Sequence, residues 1–215
     1  MFAFALWVFV ETSTGIIREN ITFMIMQYKN IIRIMLATVF ILLLPLLEMQ
    51  FTDEVVWDVV DFVVAGALLF GAGLTYELVA RKAGTIAYRA AVGVALAAAF
   101  LLVWINGAVG IIGDGEEDLA SVMYVGGVLA VGFIGALIAR FQPHGMARTL
   151  FATALAQALV AMIALLAGWG SAGPIWPLDI LIVTGFFVAL WVVSALLFRH
   201  AAQGRPRASA ALESK

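Results

Sequence analysis

Between two apolar runs lies FTDEVVWDVVDF, residues 51–62, which holds Asp53, Glu54, Asp58 and Asp61, with Glu48 just upstream and no Lys or Arg. Carboxylates crowded together without a basic neighbour repel, so one of them binds a proton more tightly or a cation sits among them. That is the chemistry of a proton or cation site. A plainer role competes with it. Asp58 and Asp61 are three residues apart and share a face at the start of an apolar segment. Acids there complement the helix dipole, typically by about 0.3–1 kcal/mol, and either can cap the helix.

Capping accounts well for Asp58 and less well for Asp61, which lies about one turn deeper. A charge costs up to about 3 kcal/mol at mid-bilayer and less near the interface, so such a residue faces its neighbours and takes a partner. Asn106, in VWINGAVGIIG, Glu48 and Tyr124 all reach the same outer level in the reading below. The candidate outward polar site is therefore Asp61, Asp58, Asn106, Glu48 and Tyr124, with its metal content open. A second set lies deeper. Gln157 is the most polar residue inside its apolar run, and Thr153 stands one turn away on the same face. An interhelical hydrogen bond is the first reading of this pair, worth roughly 1 kcal/mol or less; a place on a substrate pathway is the second.

Other chemistries find no footing. The two histidines, His144 and His200, sit in basic connections, away from the interior positions that a membrane haem needs. HExxH, GxSxG and Walker patterns are absent, and so is cysteine, which excludes disulfides, thiolate metal sites and iron–sulfur clusters. No cofactor and no enzymatic activity are expected. No dense basic patch points to nucleic acid.

The elements that must position these residues are legible from composition. The chain is 64% hydrophobic and 12% charged, with a mean hydropathy of +1.08. Soluble domains carry roughly 25% charged residues, so this chain cannot cover a water-facing surface. The apolar residues fall in continuous runs, each close to the roughly 20 that a helix needs to cross a bilayer. The expected fold is all-α: an integral membrane bundle of six transmembrane helices over 31–50, 59–80, 87–112, 119–139, 147–169 and 178–198. Short connections force neighbouring helices antiparallel and leave no room for a soluble domain. By domain, 1–30 is an N-terminal segment, 31–200 the membrane domain and 201–215 a disordered cytoplasmic tail.

Charge sets the threading. All 12 Lys and Arg residues fall before or in the first turn of the first span, in or beside the second and fourth connections, or after the sixth span, which is one side of an even-numbered bundle. The other side carries Glu48, Asp53, Glu54, Asp58, Asp61, Asp114, Glu116, Glu117, Asp118 and Asp179. Basic loops stay in the cytoplasm, so both termini are expected inside and FTDEVVWDVVDF outside. Trp57, Trp104, Trp169 and Trp176 mark the outer boundary as an aromatic belt.

Three further features are weaker. MFAFALWVFV is too short to span and lacks the basic start of a signal peptide; it is either the product of a start codon placed upstream of Met24 or an amphiphilic segment on the inner surface. Residues 77–104 and 136–169 echo one another as parallel hairpins, and composition alone also explains the echo. Ala67/Gly71, Gly93/Ala97, Gly126/Ala130 and Gly132/Ala136 stand at helix-packing spacing.

MQFTDEVVWDVVDF through GAGLTYELVARK, together with WINGAVGIIG, resembles a family of small bacterial polytopic membrane proteins of unassigned activity. The resemblance covers the first five spans and implies a bacterial inner membrane, without a substrate. Two functions stay open. One is a transport-related protein with an outward acidic site for protons or cations. The other is a non-catalytic accessory or scaffold subunit, paired with a second copy or a membrane partner within the lipid bilayer.

Overall fold

The computed structural model describes residues 28–52, 56–81, 84–109, 119–169 and 175–213. Asp53, Glu54, Asp114, Glu116, Glu117, Asp118 and the segment before Tyr28 lie outside them. Among the described residues the regular structure is helical, with no strand. Helix α1 spans Tyr28–Glu48. Then follow α2 (Val59–Arg81), α3 (Ile86–Val109), α4 (Leu119–Val122), a π-helical turn (Met123–Gly127), α5 (Val128–Ile138), α6 (Pro143–Ala167) and α7 (Leu178–Glu213).

Five stretches are long and apolar enough to cross a membrane: Tyr28–Glu48, Val59–Ala80, Ile86–Gly107, Pro143–Ala167 and Leu178–Gly204. This is the pattern of a multi-pass membrane protein. A shorter apolar helix covers Met123–Ile138, where the sequence reads a span over 119–139.

Helix ends follow local chemistry. Helix α6 begins earlier than the expected 147 because Pro143 occupies its first turn. There the missing N–H costs nothing and the fixed φ suits a helix. It ends at Gly168, whose φ of 72° is left-handed, and the Trp169 N–H returns to the Ala164 carbonyl at 2.9 Å. Helix α7 continues to Glu213, through the stretch that the sequence reads as a disordered tail.

The chain forms two units, Met1–Glu77 and Leu78–Lys215. In the first, α1 and α2 pair antiparallel. A Cβ on Gly73 would lie 2.7 Å from Ile34 Cγ2, and one on Gly66 3.4 Å from Leu42 Cδ1. Nearer the other end, Asn30 Nδ2 donates to Glu77 Oε1. Arg81 stands one turn beyond Glu77, and its side chain lies outside the described residues.

In the second unit, the buried positions described on α7 are Ile180, Thr184, Phe187, Trp191, Ser194, Ala195, Phe198 and Ala201. Ala195 apart, their steps alternate between four and three, a heptad seam. Tyr88, Ala91, Ala98 and Leu102 make the same pattern on α3, and Ala147, Leu150, Ala154, Gln157, Ala161 and Ala164 on α6. Helix α7 packs against α3 and α6, and α5 packs on α6. Tyr88 locks one end of this unit: its ring stands edge-on to Phe198 at 5.0 Å, and its hydroxyl donates to the Phe141 carbonyl at 2.6 Å.

The small residues divide by what they touch. Gly132 and Ala136 serve the α5–α6 contact, and Gly135 joins them: a Cβ there would lie 2.5 Å from Thr149 Cγ2. Ala67, Ala97 and Ala130 are exposed.

Candidate functional site

The acid pair is built by the first turn of α2. Asp58 is the residue before the helix, and its Oδ1 accepts the Asp61 N–H at 2.9 Å. Asp61 Oδ2 accepts the Asp58 N–H, also at 2.9 Å. This is a reciprocal capping box with Asp at the third helical position, so two otherwise orphaned backbone donors are satisfied. Both residues are exposed. The partner that the sequence requires for Asp61 is thus the backbone of Asp58. Glu48 ends α1, exposed, with its carbonyl accepting from Phe51 and Thr52 N–H at 2.9 Å each.

Glu48, Asp58 and Asp61 belong to the first unit, Asn106 and Tyr124 to the second. Asn106 is half-buried near the end of α3. Among the described residues, no three His, Asp or Glu side chains are grouped as a metal ion requires.

Tyr124 is placed differently from the acids. The π turn at Met123–Gly127 carries it, and it is fully buried. Its hydroxyl pairs with Thr184 Oγ1 of α7 at 2.9 Å. A π turn adds one residue to a helical turn, is rare, and occurs often at functional sites. Gly126 and Gly127 lie within it, exposed on the outer side of the helix.

Gln157 is the next member. It is fully buried on α6, about 20 Å from the first turn and about 15 Å from the last at 1.5 Å per residue. Its Oε1 accepts the indole N–H of Trp191 at 2.7 Å, an interhelical hydrogen bond between α6 and α7. That donation fixes which way the carboxamide faces, since the indole nitrogen only donates. The Nε2 group is then buried without a hydrogen-bond partner in bonding geometry. The Tyr124 hydroxyl is its polar neighbour. An unmade hydrogen bond at a buried donor costs about 1–3 kcal/mol.

Thr153 continues the line toward the start of α6. Its hydroxyl returns to the Thr149 carbonyl at 3.0 Å, and Gly132 and Gly135 of α5 lie against the two threonines. On α7, Ser194 donates to the Ala91 carbonyl of α3 at 2.7 Å. Among the described residues, the buried polar side chains of the second unit are Ser121, Thr149, Thr153, Gln157, Thr184 and Ser194, with Tyr124 and Trp191 beside them. All are uncharged. Such a surface cannot act as an acid or base near neutral pH, but it can hold a neutral group by hydrogen bonding.

Sequence reading singles out Gln157 and Thr153 as an intramembrane pair and groups Tyr124 with the outer acids; it does not single out the two α7 members, Thr184 and Trp191. A signal for them exists. Trp191 stands in mid-run, away from the aromatic belt, and a buried indole N–H needs a partner. Thr184 lies one heptad before it, on the same seam. The chain matches no family model, no characterised protein and no solved structure.

Proposed function

We propose that this chain is a multi-pass protein of a bacterial inner membrane, with six crossings, both termini in the cytoplasm and a transport-related role. The neutral seam of the second unit is its working surface. The carrying observation is the buried pair of contacts, Trp191 to Gln157 and Tyr124 to Thr184; Gln157, Thr184 and Trp191 stand on α6 and α7, which are long and apolar enough to span, and Tyr124 on the shorter apolar helix. Polar side chains in such helices are costly and mark solute pathways or interhelical glue. A contact set that leaves one donor unused does more than glue requires.

The orientation rests on the sorting of Lys and Arg, and the bacterial membrane on the family resemblance. The sixth crossing is Leu119–Ile138, a helical run of about 30 Å at 1.5 Å per residue, somewhat shortened by its π turn. In this reading Asp58 and Asp61 shape the outer end of α2, and solute contact falls to the seam.

The test is flux. The purified chain is reconstituted in liposomes, and shrink–swell kinetics are followed by light scattering for urea, acetamide and glycerol, with sodium and potassium salts in parallel. Entry of a neutral solute faster than into empty liposomes is expected. No excess flux of any solute overturns the transport reading.

One observation favours a second reading. Only 6% of the α1 span and 6% of the α2 span are buried, which suits an accessory subunit whose hairpin is covered by a second copy or a membrane partner. Intramembrane cross-linking from exposed positions such as Phe40 and Val63 separates these: a discrete cross-linked protein product supports the accessory role, and lipid adducts alone oppose it.

A further inference from the structure

We propose that Arg89, Arg140 and Arg199, with Arg148 beside them, form a contact surface for the headgroup of one anionic phospholipid. The inference goes beyond the transport reading and stands whether or not a solute crosses.

The placement follows from one aromatic junction. The Tyr88 ring stands edge-on to Phe198 at 5.0 Å, and the Tyr88 hydroxyl donates to the Phe141 carbonyl at 2.6 Å. Each of these three residues has an arginine as its chain neighbour: Arg89, Arg199 and Arg140. Successive Cα atoms are only about 3.8 Å apart, so the junction brings arginines from α3, α7 and the α5–α6 turn to one end of the unit. Tyr88 and Phe198 are buried, whereas all three arginines are exposed. The backbone around Arg140 is fixed. Its N–H returns to the Leu137 carbonyl at 3.0 Å and the Phe141 N–H to the Ala136 carbonyl at 3.3 Å, a Schellman closure of α5 with Arg140 left-handed at a φ of 49°. Arg148 follows on α6, exposed, with Nη2 3.4 Å from His144 Nε2.

Depth and charge point to the partner. Arg89 lies three residues inside the Ile86–Gly107 span, Arg148 five inside Pro143–Ala167, and Arg199 five before the end of Leu178–Gly204. At 1.5 Å per residue these positions are about 4.5–7.5 Å from the span ends, a level from which a long side chain snorkels to the lipid phosphates. Among the described side chains of this unit the carboxylate is that of Asp179, in the first turn of α7 and about 30 Å from Arg199 along the helix. No described carboxylate pairs with any of the four arginines. The helix dipole favours Arg140, at the end of α5, but disfavours Arg89 and Arg148, which stand near the starts of α3 and α6. What satisfies them is an anion from outside the chain, and guanidinium forks match phosphate oxygens. Ile86, Ile138, Phe141 and Leu196 are exposed at the same end. Acyl chains cover such residues and a soluble phosphate does not, so the phosphate is that of a lipid.

The full chain is placed in phosphatidylcholine nanodiscs doped with phosphatidylglycerol that carries a diazirine in its headgroup, and adducts are mapped by peptide mass spectrometry. Adducts are expected in residues 86–90, 140–148 and 196–200, with phosphatidylcholine carrying the same diazirine labelling them at least about five-fold less. Arg89→Gln should lower phosphatidylglycerol labelling about five-fold, the effect of one cation at an anionic surface. The loss should extend to 140–148, because the arginines share one headgroup. Arg33→Gln, in the first unit, removes the same charge and should leave the three segments unchanged.

Equal labelling by the two lipids would overturn the site and leave the arginines as orientation signals alone. A loss confined to the segment that carries the substitution, or an equal loss in Arg33→Gln, would overturn the shared headgroup. Labelling abolished by excess inorganic phosphate, but not by chloride at matched ionic strength, would assign the surface to a soluble anion and overturn the lipid. If Arg89→Gln fails to fold, Arg199→Gln is judged by the same criteria.

Discussion

Trp191→Phe, alone and combined with Gln157→Leu, reads the energetics of the seam by sign. In the natural chain the Trp191 N–H meets Gln157 Oε1 at 2.7 Å, and Gln157 Nε2 is unpaired. Trp191→Phe removes the indole donor and leaves the whole carboxamide buried without partners in bonding geometry. The lost hydrogen bond contributes about 1 kcal/mol, and the smaller ring leaves a packing deficit of about 1 kcal/mol. The single variant is therefore destabilised by about 2 kcal/mol. Adding Gln157→Leu removes the stranded amide and, with it, the unpaired Nε2 whose cost the natural chain already bears at about 1–3 kcal/mol. The double variant should recover most of the loss and return to within about 1 kcal/mol of the natural chain. The assay is reversible unfolding in mixed micelles, followed by helix circular dichroism across the full double-mutant cycle. Coupling of about 1–2 kcal/mol in the rescuing direction is expected. Additive losses, within about 0.5 kcal/mol, would refute the pairing and the unpaired donor together.

Gly135→Ala places a methyl 2.5 Å from Thr149 Cγ2 and 3.2 Å from Thr149 Cβ, so α5 and α6 must separate; a loss of about 1–3 kcal/mol is expected in the same unfolding assay. Gly127→Ala meets nothing within 4 Å and should be neutral or stabilising by up to about 1 kcal/mol; equal effects of the two would refute the packing argument. Single cysteines in this cysteine-free chain report orientation. A residue at Gly115 should react with an impermeant maleimide in intact cells, while ones at Gly84, His144 and Gly204 should not. His144 is exposed, so a cysteine there is tolerated, whereas a Cβ on the neighbouring Gly145 would lie 2.7 Å from Ala139 Cβ. Asp58→Ala should cost about 0.5–2 kcal/mol as a lost cap, whereas Asp61→Asn keeps a side-chain oxygen for the Asp58 N–H and should cost less. A thermal stability that responds to divalent cations in the natural chain but not in Asp61→Asn would instead restore the acids as a cation site.

What the sequence exposes and what it hides follow one physical division. The five long apolar helices come from a composition constraint and from runs near 20 residues, which act one segment at a time. They are accordingly readable, and the α2 start at Val59 matches its apolar boundary. Capping is also local. Asp58 and Asp61 face each other across one turn, so their reciprocal bonds need no knowledge of any other helix. The depth argument that gives Asp61 a distant partner passes over this nearer solution. The seam is of the other kind. Gln157 and Trp191 are 34 residues apart, and Tyr124 and Thr184 are 60 apart, so their pairing depends on how α6, α7 and the π turn pack. Tyr124 shows the limit best. Its depth in the span is readable, but depth places it equally with the outer acids or with α7. Only the turn of the helix decides, and a π insertion rotates every later residue relative to the regular 3.6-residue count. The Gly126–Gly127 pair is the local trace of that insertion in the sequence.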